Sequence, residues 1–265
     1  MPADALASHP MTTALVTGGT SGIGLAFARR FAAEGRDLVL VARDRDRLAA
    51  VAGDLIDRHG VGVEVLVADL SARDQLQSVA DRLGDASRPV DLLVNNAGFG
   101  LKRRFVEGEL AAEEQMFDVL CRAVLVLSHA GAQAMIRRGS GAIVNVSSVA
   151  GFTAGGSYAA AKAWVTTFTE GLACELRGTG VTATALCPGF VRTEMHQRAD
   201  MTMRSIPARA WLDADELVAA AMADVRRGRV ISVPTVRYKV AALLARKGPR
   251  AVVRRVTGSR PRSRH

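Results

Sequence analysis

The sequence has little cysteine, few aromatic residues and no apolar stretch that is long enough to cross a membrane. Only three of its 265 residues are cysteines, and aromatic residues make up 5%. Cys121, Cys174 and Cys187 form no CxxC pair and have no histidine at metal-ligand spacing. We therefore expect buried, reduced thiols and no metal site. The most apolar run, at residues 124–127, is flanked by charged or polar residues and falls short of the roughly 18 residues that a membrane span needs.

The beginning of the chain lacks the apolar segment of a secretory signal peptide. Residues 1–10 include an aspartate and no hydrophobic run, so we expect a loose leader over residues 1–11 and a cytoplasmic protein. With 49% hydrophobic residues, the chain can bury one large core. We find no internal repeat or linker before the C-terminal part, and we assign residues 12–235 to a single domain.

Acidic residues are absent from the last part of the chain. The net charge is +9, yet thirteen of the 35 Lys and Arg residues follow Asp224, which leaves 22 bases against 26 acids before them. We expect residues 236–265 to form a basic helix and tail. Three interpretations stay open: a helix packed on the domain with a solvated end, peripheral contact with an anionic membrane, or, less favoured, nucleic-acid binding without a reading element.

Short β-branched runs alternate with helical stretches along the domain. Strand segments such as residues 38–41 and 91–94 are apolar at nearly every position, which is typical of strands covered by helices on both faces. Strict alternation of strands and helices predicts a doubly wound, Rossmann-type parallel sheet of about seven strands. The predicted strands cover residues 14–17, 37–42, 61–68, 90–95, 141–147, 181–187 and 229–233, and the predicted helices cover 22–34, 45–58, 73–83, 111–138, 158–177 and 213–226.

A glycine-rich turn follows the first predicted strand and leads into the first helix. Glycines permit positive φ and close approach of a ligand to the backbone, and the start of a helix attracts a pyrophosphate. The turn in this position predicts a dinucleotide site. Its candidate cofactor-binding residues are Gly18, Ser21, Gly22, Ile23 and Gly24.

The end of the second strand indicates which dinucleotide binds. An acidic residue there would bind the ribose hydroxyl of NAD, whereas an arginine accommodates the 2′-phosphate of NADP. The chain has Ala42 followed by Arg43, which favours NADP(H). Asp44 and Asp46 lie beside the arginine and weaken its positive field.

A tyrosine and a lysine stand four residues apart at the start of a predicted helix. Tyr158 and Lys162 therefore share one helix face. A free tyrosine has a pKa near ~10, and a nearby ammonium favours its ionised form. We expect Lys162 to lower the pKa of Tyr158, so that the phenol can act as general acid in reduction and as general base in oxidation.

Five motifs occur in one order along residues 12–233, and the glycine turn is the first of them. The others are Asn95-Asn96-Ala97-Gly98 after the fourth strand, Ser147-Ser148 after the fifth, Tyr158-Ala159-Ala160-Ala161-Lys162 in the next helix, and Pro188-Gly189 after the sixth strand. Together the five motifs resemble the short-chain dehydrogenase/reductase family in its single-domain form.

The resemblance implies roles for particular side chains. Tyr158 and Ser148 would act on the substrate oxygen, and Lys162 would also hold the nicotinamide ribose. Relatives commonly assemble through their long helices, so a homodimer or homotetramer is expected. By position in the family pattern, Asp69 would contact the adenine and Asn96 would line the cofactor cleft. Val191 and Thr193 would contact the carboxamide.

Two features depart from the family pattern. Leu120 stands where the family usually has an asparagine that supports a water-mediated proton relay to the lysine, and leucine cannot hydrogen-bond a water. Either the relay runs another way, or turnover is slow, or the alignment is shifted. Ser148 and Tyr158 are ten positions apart, fewer than is usual, so Ser147 stays an alternative to Ser148.

We therefore predict an NADP(H)-dependent ketoreductase whose partner is a small-molecule carbonyl or alcohol substrate. Residues 190–210 occupy the position of the family's substrate lid and are rich in methionine, which suits an apolar ketone or a fatty acyl β-keto substrate. The alternative is a catalytically weak dinucleotide-binding member that acts as a sensor or scaffold, with its basic tail on a membrane surface.

Overall fold

The computed structural model describes residues 13–191 and 211–258. They form a seven-stranded sheet in the order β3-β2-β1-β4-β5-β6-β7, and every neighbouring pair is parallel. The predicted doubly wound fold is confirmed. The strands are β1 (Ala14–Thr17), β2 (Leu38–Ala42), β3 (Val63–Val67), β4 (Leu92–Asn95), β5 (Gly141–Val146), β6 (Val181–Leu186) and β7 (Ile231–Ser232).

Helices cover both faces of this sheet. Each predicted helix is present with its ends within two residues of the expected positions. The helices are α1 (Gly22–Ala33), α2 (Arg45–His59), α3 (Arg73–Gly84), α4 (Leu110–Phe117), α5 (Ala123–Arg138), α6 (Gly156–Glu175), α7 (Ala214–Arg226), α8 (Val236–Lys247) and α9 (Arg250–Gly258).

Two hydrophobic clusters form the core, one on each face of the sheet. One contains Phe27 and Phe31 of α1 with Val218 of α7. The other contains Leu76 of α3 and Leu127 of α5. All residues of β1 and β4 are buried, because helices exclude water on both sides. This burial explains why the strands read as continuous apolar runs.

The long predicted helix at residues 111–138 contains a wider turn. A π-helical segment at Asp118–Arg122 joins α4 to α5. The sequence predicted no run long enough to cross a membrane, but the combined helix Leu110–Arg138 has the length and composition to do so. However, 61% of its apolar window is buried inside the protein. Its burial against the sheet, through Leu127 and Met135, is that of a core helix.

Two expectations about the outside of the domain need correction. The basic segment from residue 236 to residue 258 forms two helices, α8 and α9, which Gly248 and Pro249 separate. Cys174 is exposed, although Cys121 and Cys187 are buried as expected, and all three thiols are free. The leader at residues 1–11 and Thr193 lie outside the described residues.

Candidate active site

The glycine turn lies at the carboxyl end of β1, where strand order reverses between β1 and β4. Gly18 has a φ of +68°, and a side chain there would also meet the amide nitrogen of Asn96 at 2.9 Å. A Cβ on Gly24 would collide with the carbonyl oxygen of Gly18. Ser21 precedes α1 without capping it, and the first turn of α1 has no acid. The turn therefore presents backbone N–H groups in a positive field.

Asn96 ties the end of β4 to this turn. Its Nδ2 donates to the carbonyl of Thr17 at 2.9 Å and to that of Gly18 at 3.3 Å. The hydroxyl of Thr17 in turn accepts from the backbone N–H groups of Asn96 at 2.9 Å and Ala97 at 3.0 Å. Sequence reasoning missed Thr17, although a hydroxyl residue directly before a glycine turn was a signal for such a link.

The start of α1 also meets the segment that follows β6. Ile23 packs in one apolar cluster with Val191, Leu212 and Leu217. Val191 is buried and forms a parallel bridge with Leu212. Two candidate cofactor residues that are far apart in the chain, Ile23 and Val191, thus lie at the same edge of the sheet.

Arg43 and Asp69 face each other at the ends of β2 and β3. The Arg43 side chain is 66% exposed, and its Nη1 lies 4.0 Å from Oδ2 of Asp69. Burial acts to raise the pKa of Asp69, but hydrogen bonds from Ser71 and the charge of Arg43 hold that pKa below its ordinary value. Asp44 accepts from the backbone N–H of Arg47 at 3.0 Å and so caps α2. The capping role directs the Asp44 carboxylate to the start of α2.

The candidate catalytic residues come together where β5 ends and α6 begins. The hydroxyl of Ser148 accepts from the backbone N–H of Ala150 at 3.1 Å and is hydrogen-bonded to the Tyr158 side chain. One helical turn along, the Nζ of Lys162 lies 5.9 Å from the centre of the Tyr158 ring and donates to the Val146 carbonyl at 2.7 Å. The three side chains predicted from sequence share one site.

The acidities of the tyrosine and the lysine are both shifted by burial. Burial raises the pKa of Tyr158 to about 12, against the lowering effect of its hydrogen bond with Ser148. Burial lowers the pKa of Lys162 to about 8, while Cys121 and Cys187 oppose that shift. The expected lowering of the Tyr158 pKa by Lys162 is not found: burial raises that pKa, and the opposing contribution comes from Ser148. Tyr158 is therefore a protonated phenol at neutral pH.

The two adjacent serines face different surroundings. The buried hydroxyl of Ser147 lies 2.7 Å from the Lys162 carbonyl oxygen, to which it donates, and 2.7 Å from the Thr166 hydroxyl. Ser148 instead reaches Tyr158. A short 3₁₀ helix at Val149–Phe152 takes up the segment between them and α6. This geometry favours Ser148 as the residue at the substrate oxygen.

Leu120 occupies the space beside Lys162. It lies in the π-helical segment and is fully buried. A Cβ on Gly98 would lie 2.6 Å from Cδ2 of Leu120 and 3.8 Å from Nζ of Lys162, so the leucine and the lysine approach the same glycine. Leu120 belongs to an apolar cluster that also contains Met116, Cys121, Ala161, Phe99, Leu101, Tyr158 and Trp164.

A buried polar network supports this end of the sheet. Asn95 donates to Asn145 at 2.9 Å and to Ser128 at 3.1 Å. Asn145 donates to Thr169 at 3.0 Å. Buried amides need hydrogen-bond partners. In this network the partners lie on different elements, so the bonds join β4 and β5 to α5 and α6. Sequence reasoning named Asn95 only as part of a motif and missed the other three residues, which carry no local signal.

A doubly wound sheet with a glycine turn at its switch point, together with a Ser–Tyr–Lys arrangement, defines a dinucleotide-dependent oxidoreductase. The model of the family described as short chain dehydrogenase matches residues 12–204. The chain belongs to the short-chain dehydrogenase/reductase family, whose members act on alcohol and carbonyl groups.

Similarity to individual relatives extends over most of the chain. It is 42% identical over 185 residues to sulfoacetaldehyde reductase 2 of Chromohalobacter salexigens, covering 68% of this chain and 73% of that protein. A short-chain dehydrogenase from Sphingobium yanoikuyae, solved with NADPH, is 35% identical with a TM-score of 0.82 and coverages of 96% and 98%.

Two further solved structures broaden the comparison. A bulky-bulky ketone specific alcohol dehydrogenase from Comamonas testosteroni is 30% identical with a TM-score of 0.78, covering 97% of this chain and 98% of that one. A family member from Burkholderia phymatum, solved with NAD, is 28% identical with a TM-score of 0.78 and coverages of 88% and 92%. The solved relatives thus include both dinucleotides.

Proposed function

We propose that this enzyme reduces a ketone to an alcohol with NADPH, with Tyr158 as the proton donor. The observation that carries the proposal is the hydrogen bond between Tyr158 and Ser148, with Lys162 buried one helical turn away. Since burial keeps the phenol protonated at neutral pH, the arrangement suits donation of a proton to a carbonyl oxygen.

Each of the three side chains has a separate role in this proposal. Ser148 donates a hydrogen bond to the carbonyl oxygen and polarises it, and Tyr158 delivers the proton as the oxygen becomes an alcohol. Lys162, held by its bond to Val146, binds the ribose of the cofactor and supplies positive charge beside the phenol. The bound nicotinamide supplies the hydride.

The residues present fit a dinucleotide. Gly18 and Gly24 let the turn pack closely against α1 and Asn96, because a Cβ at either position would clash, and Asn96 fixes the turn. Ser21, Gly22 and Ile23 begin α1 and would meet the pyrophosphate, Asp69 would face the adenine, and Val191 the carboxamide end. Arg43, largely exposed at the end of β2, supports NADP(H) over NAD(H), because it can turn toward a 2′-phosphate.

An apolar ketone fits the surroundings of Tyr158 best. Tyr158 packs against the same apolar cluster as Phe99, Leu101 and Trp164, and Phe190 contacts Trp211 with ring centres 6.0 Å apart. The similar Comamonas enzyme is specific for bulky ketones, which supports a substrate of this kind or a fatty acyl β-keto substrate. The methionines between residues 192 and 210 lie outside the described residues.

The proposal is tested by NADPH oxidation with a panel of ketones. We expect turnover with apolar ketones or β-keto acyl thioesters, and its loss in Tyr158→Phe while NADPH binding, followed by fluorescence, is retained. Activity confined to small polar aldehydes would contradict the substrate class. Equal turnover by Tyr158→Phe would contradict the role of the phenol.

One observation favours a second candidate, a weakly catalytic dinucleotide sensor. Leu120 places a hydrocarbon side chain beside Lys162 where the family's relay residue belongs. A sensor would bind NADPH tightly but would not turn over a ketone, so Tyr158→Phe would cause no loss of turnover. In either case we propose a homo-oligomer in the cytoplasm.

A further inference from the structure

Helix α8 carries an apolar surface on each of two sides. Its inner side packs on the domain: Tyr238, Ala242 and Ala245 join a cluster with Phe152 and Val233. This contact accounts for the helix being attached to the domain. It does not account for the apolar residues on the opposite side.

The outer side of α8 is an exposed apolar stripe. Its residues follow the spacing i, i+4, i+7 and i+8, so they share one face of the helix. Elsewhere in the described chain, large exposed apolar residues also gather at Phe105, Val106 and Leu110, before and at the start of α4, and the others are scattered singly, as soluble proteins tolerate. The stripe consists of Val236, Val240, Leu243 and Leu244, with exposures of 74%, 52%, 52% and 67%.

Basic residues flank the stripe and continue into α9. Arg237 lies on one side of the stripe, and Lys239 and Arg246 lie on the other, all three exposed. Arg246 also approaches Glu170 of α6 at 3.5 Å. Helix α9 adds an exposed Val252 and the exposed bases Arg250, Arg254 and Arg255. No acid follows Asp224, and three more arginines lie among the last seven residues.

We propose that α8 and α9 dock on the surface of an anionic lipid bilayer. An apolar stripe between two rows of bases buries its hydrocarbon at the acyl boundary while the bases meet lipid phosphates. A second copy of the chain on this face would bring like charges together around the twofold axis. The phosphates of a nucleic acid would pair with the Lys and Arg side chains but would leave the apolar stripe exposed to water.

The docking surface lies next to the candidate active site. On the inner side of α8, the Tyr238 hydroxyl accepts a hydrogen bond from the Phe190 backbone N–H at 3.1 Å, and its ring fills the space over Gly189. The Arg246 guanidinium lies 5.5 Å from the centre of the Phe152 ring, four residues after Ser148. A bilayer on the outer side would therefore be one helix away from the site, which suits an apolar substrate that partitions into lipid.

Sedimentation of the full-length protein with lipid vesicles tests the docking. We expect binding to vesicles of phosphatidylcholine mixed with phosphatidylglycerol, weak binding to phosphatidylcholine alone, and release by salt. Leu244→Gln should weaken binding about tenfold, since it removes an exposed leucine that the bilayer would bury. Arg254→Glu should weaken it more than fivefold, because each base near an anionic surface contributes about fivefold.

A matched control separates docking from general loss of surface hydrophobicity. Leu110 is also 67% exposed but lies on α4, so Leu110→Gln should sediment like the wild type. Thermal unfolding and NADPH binding of each variant report whether the domain is intact.

Several outcomes would overturn the docking proposal. One is no sedimentation with the anionic vesicles. Another is the same loss of binding in both leucine variants. A third is a dimer that dissociates only in Leu244→Gln with no vesicle binding, which would assign the face to a second copy. Binding to duplex DNA that exceeds vesicle binding and ignores Leu244→Gln would assign it to nucleic acid. Vesicle binding requires no turnover, so its failure would leave the proposed reaction intact.

Discussion

The ammonium of Lys162 donates to the carbonyl of Val146 at 2.7 Å. This bond holds the buried ammonium at the end of β5. Burial lowers the pKa of Lys162 to about 8, whereas it raises that of Tyr158 to about 12. The two groups thus titrate far apart, with the lysine first as the pH rises.

This separation predicts the pH dependence of reduction. The reaction needs Tyr158 protonated and Lys162 charged, and both conditions hold below about pH 8. We expect kcat/KM for the ketone to fall as the pH rises through about 8. The fall belongs to the lysine, so Lys162→Arg should move it to higher pH, since arginine stays charged. If kcat/KM fell at the same pH in Lys162→Arg, the fall would belong to another group.

The same burial predicts that Lys162 destabilises the fold at neutral pH. Folding lowers the pKa of this lysine from 10.5 to about 8. Its contribution to stability is therefore present above the pKa of the unfolded state and is lost as the pH falls through the folded-state pKa of about 8. Lys162→Met removes this cost but also loses the bond to Val146. We expect the variant to be inactive, yet more stable at pH 7 by about 1–3 kcal/mol in denaturant unfolding. A less stable variant would contradict the sign.

Leu120 is a second position at which proton transfer through Lys162 can be tested. Leu120→Asn places an amide beside Lys162, where it can hold a water, and we expect kcat to increase. The amide enters an apolar cluster, so stability should fall by about 2–4 kcal/mol. Leu120→Ala is the matched control, with a similar loss of stability and no amide. An unchanged kcat in Leu120→Asn would show that the relay does not run through this position.

The fold was predictable because its signals are local. Buried parallel strands such as β2 read as continuous apolar runs, and glycine marks the end of α2 at Gly60, where φ is +66°. The order of the motifs along the chain then placed Ser148, Tyr158 and Lys162 at one edge of the sheet. The sign of the Tyr158 shift was not predictable, because it depends on burial by residues that are distant in sequence.

Other parts of the site had no sequence signal of their own. The network of Asn95 with Ser128 and Asn145 joins residues up to 50 positions apart, and no spacing rule connects them. The contact between Tyr238 and Phe190 spans 48 positions. The break between α8 and α9 did have a signal, Gly248-Pro249, since proline seldom continues a helix.

Arg43 is the residue through which cofactor choice can be tested. Its guanidinium is largely exposed and lies 4.0 Å from Asp69, so it can turn to a 2′-phosphate. We expect Arg43→Ala to raise KM for NADPH about tenfold or more, since charge-assisted hydrogen bonds contribute about 1.5–3 kcal/mol, and to leave KM for NADH nearly unchanged. Arg45→Ala, an exposed neighbour at the start of α2, is the control. Equal changes for both dinucleotides would exclude recognition of the phosphate by Arg43.

Gly24 and Gly53 form a matched pair for testing the dinucleotide site. Both are helical glycines, but a Cβ on Gly24 would collide with the Gly18 carbonyl, whereas a Cβ on Gly53 meets nothing within 4 Å. Gly53→Ala should therefore stabilise the protein by about 0.5–1 kcal/mol, because alanine favours the helix, and leave NADPH affinity unchanged. Gly24→Ala must shift the turn away from α1, so we expect NADPH affinity to fall at least a hundredfold and the melting temperature to decrease. Calorimetric titration with NADPH measures the first effect, and thermal unfolding without cofactor measures the second. If Gly24→Ala bound NADPH as tightly as the wild type, the turn would not hold the pyrophosphate, and the cofactor would have to lie elsewhere on the sheet edge.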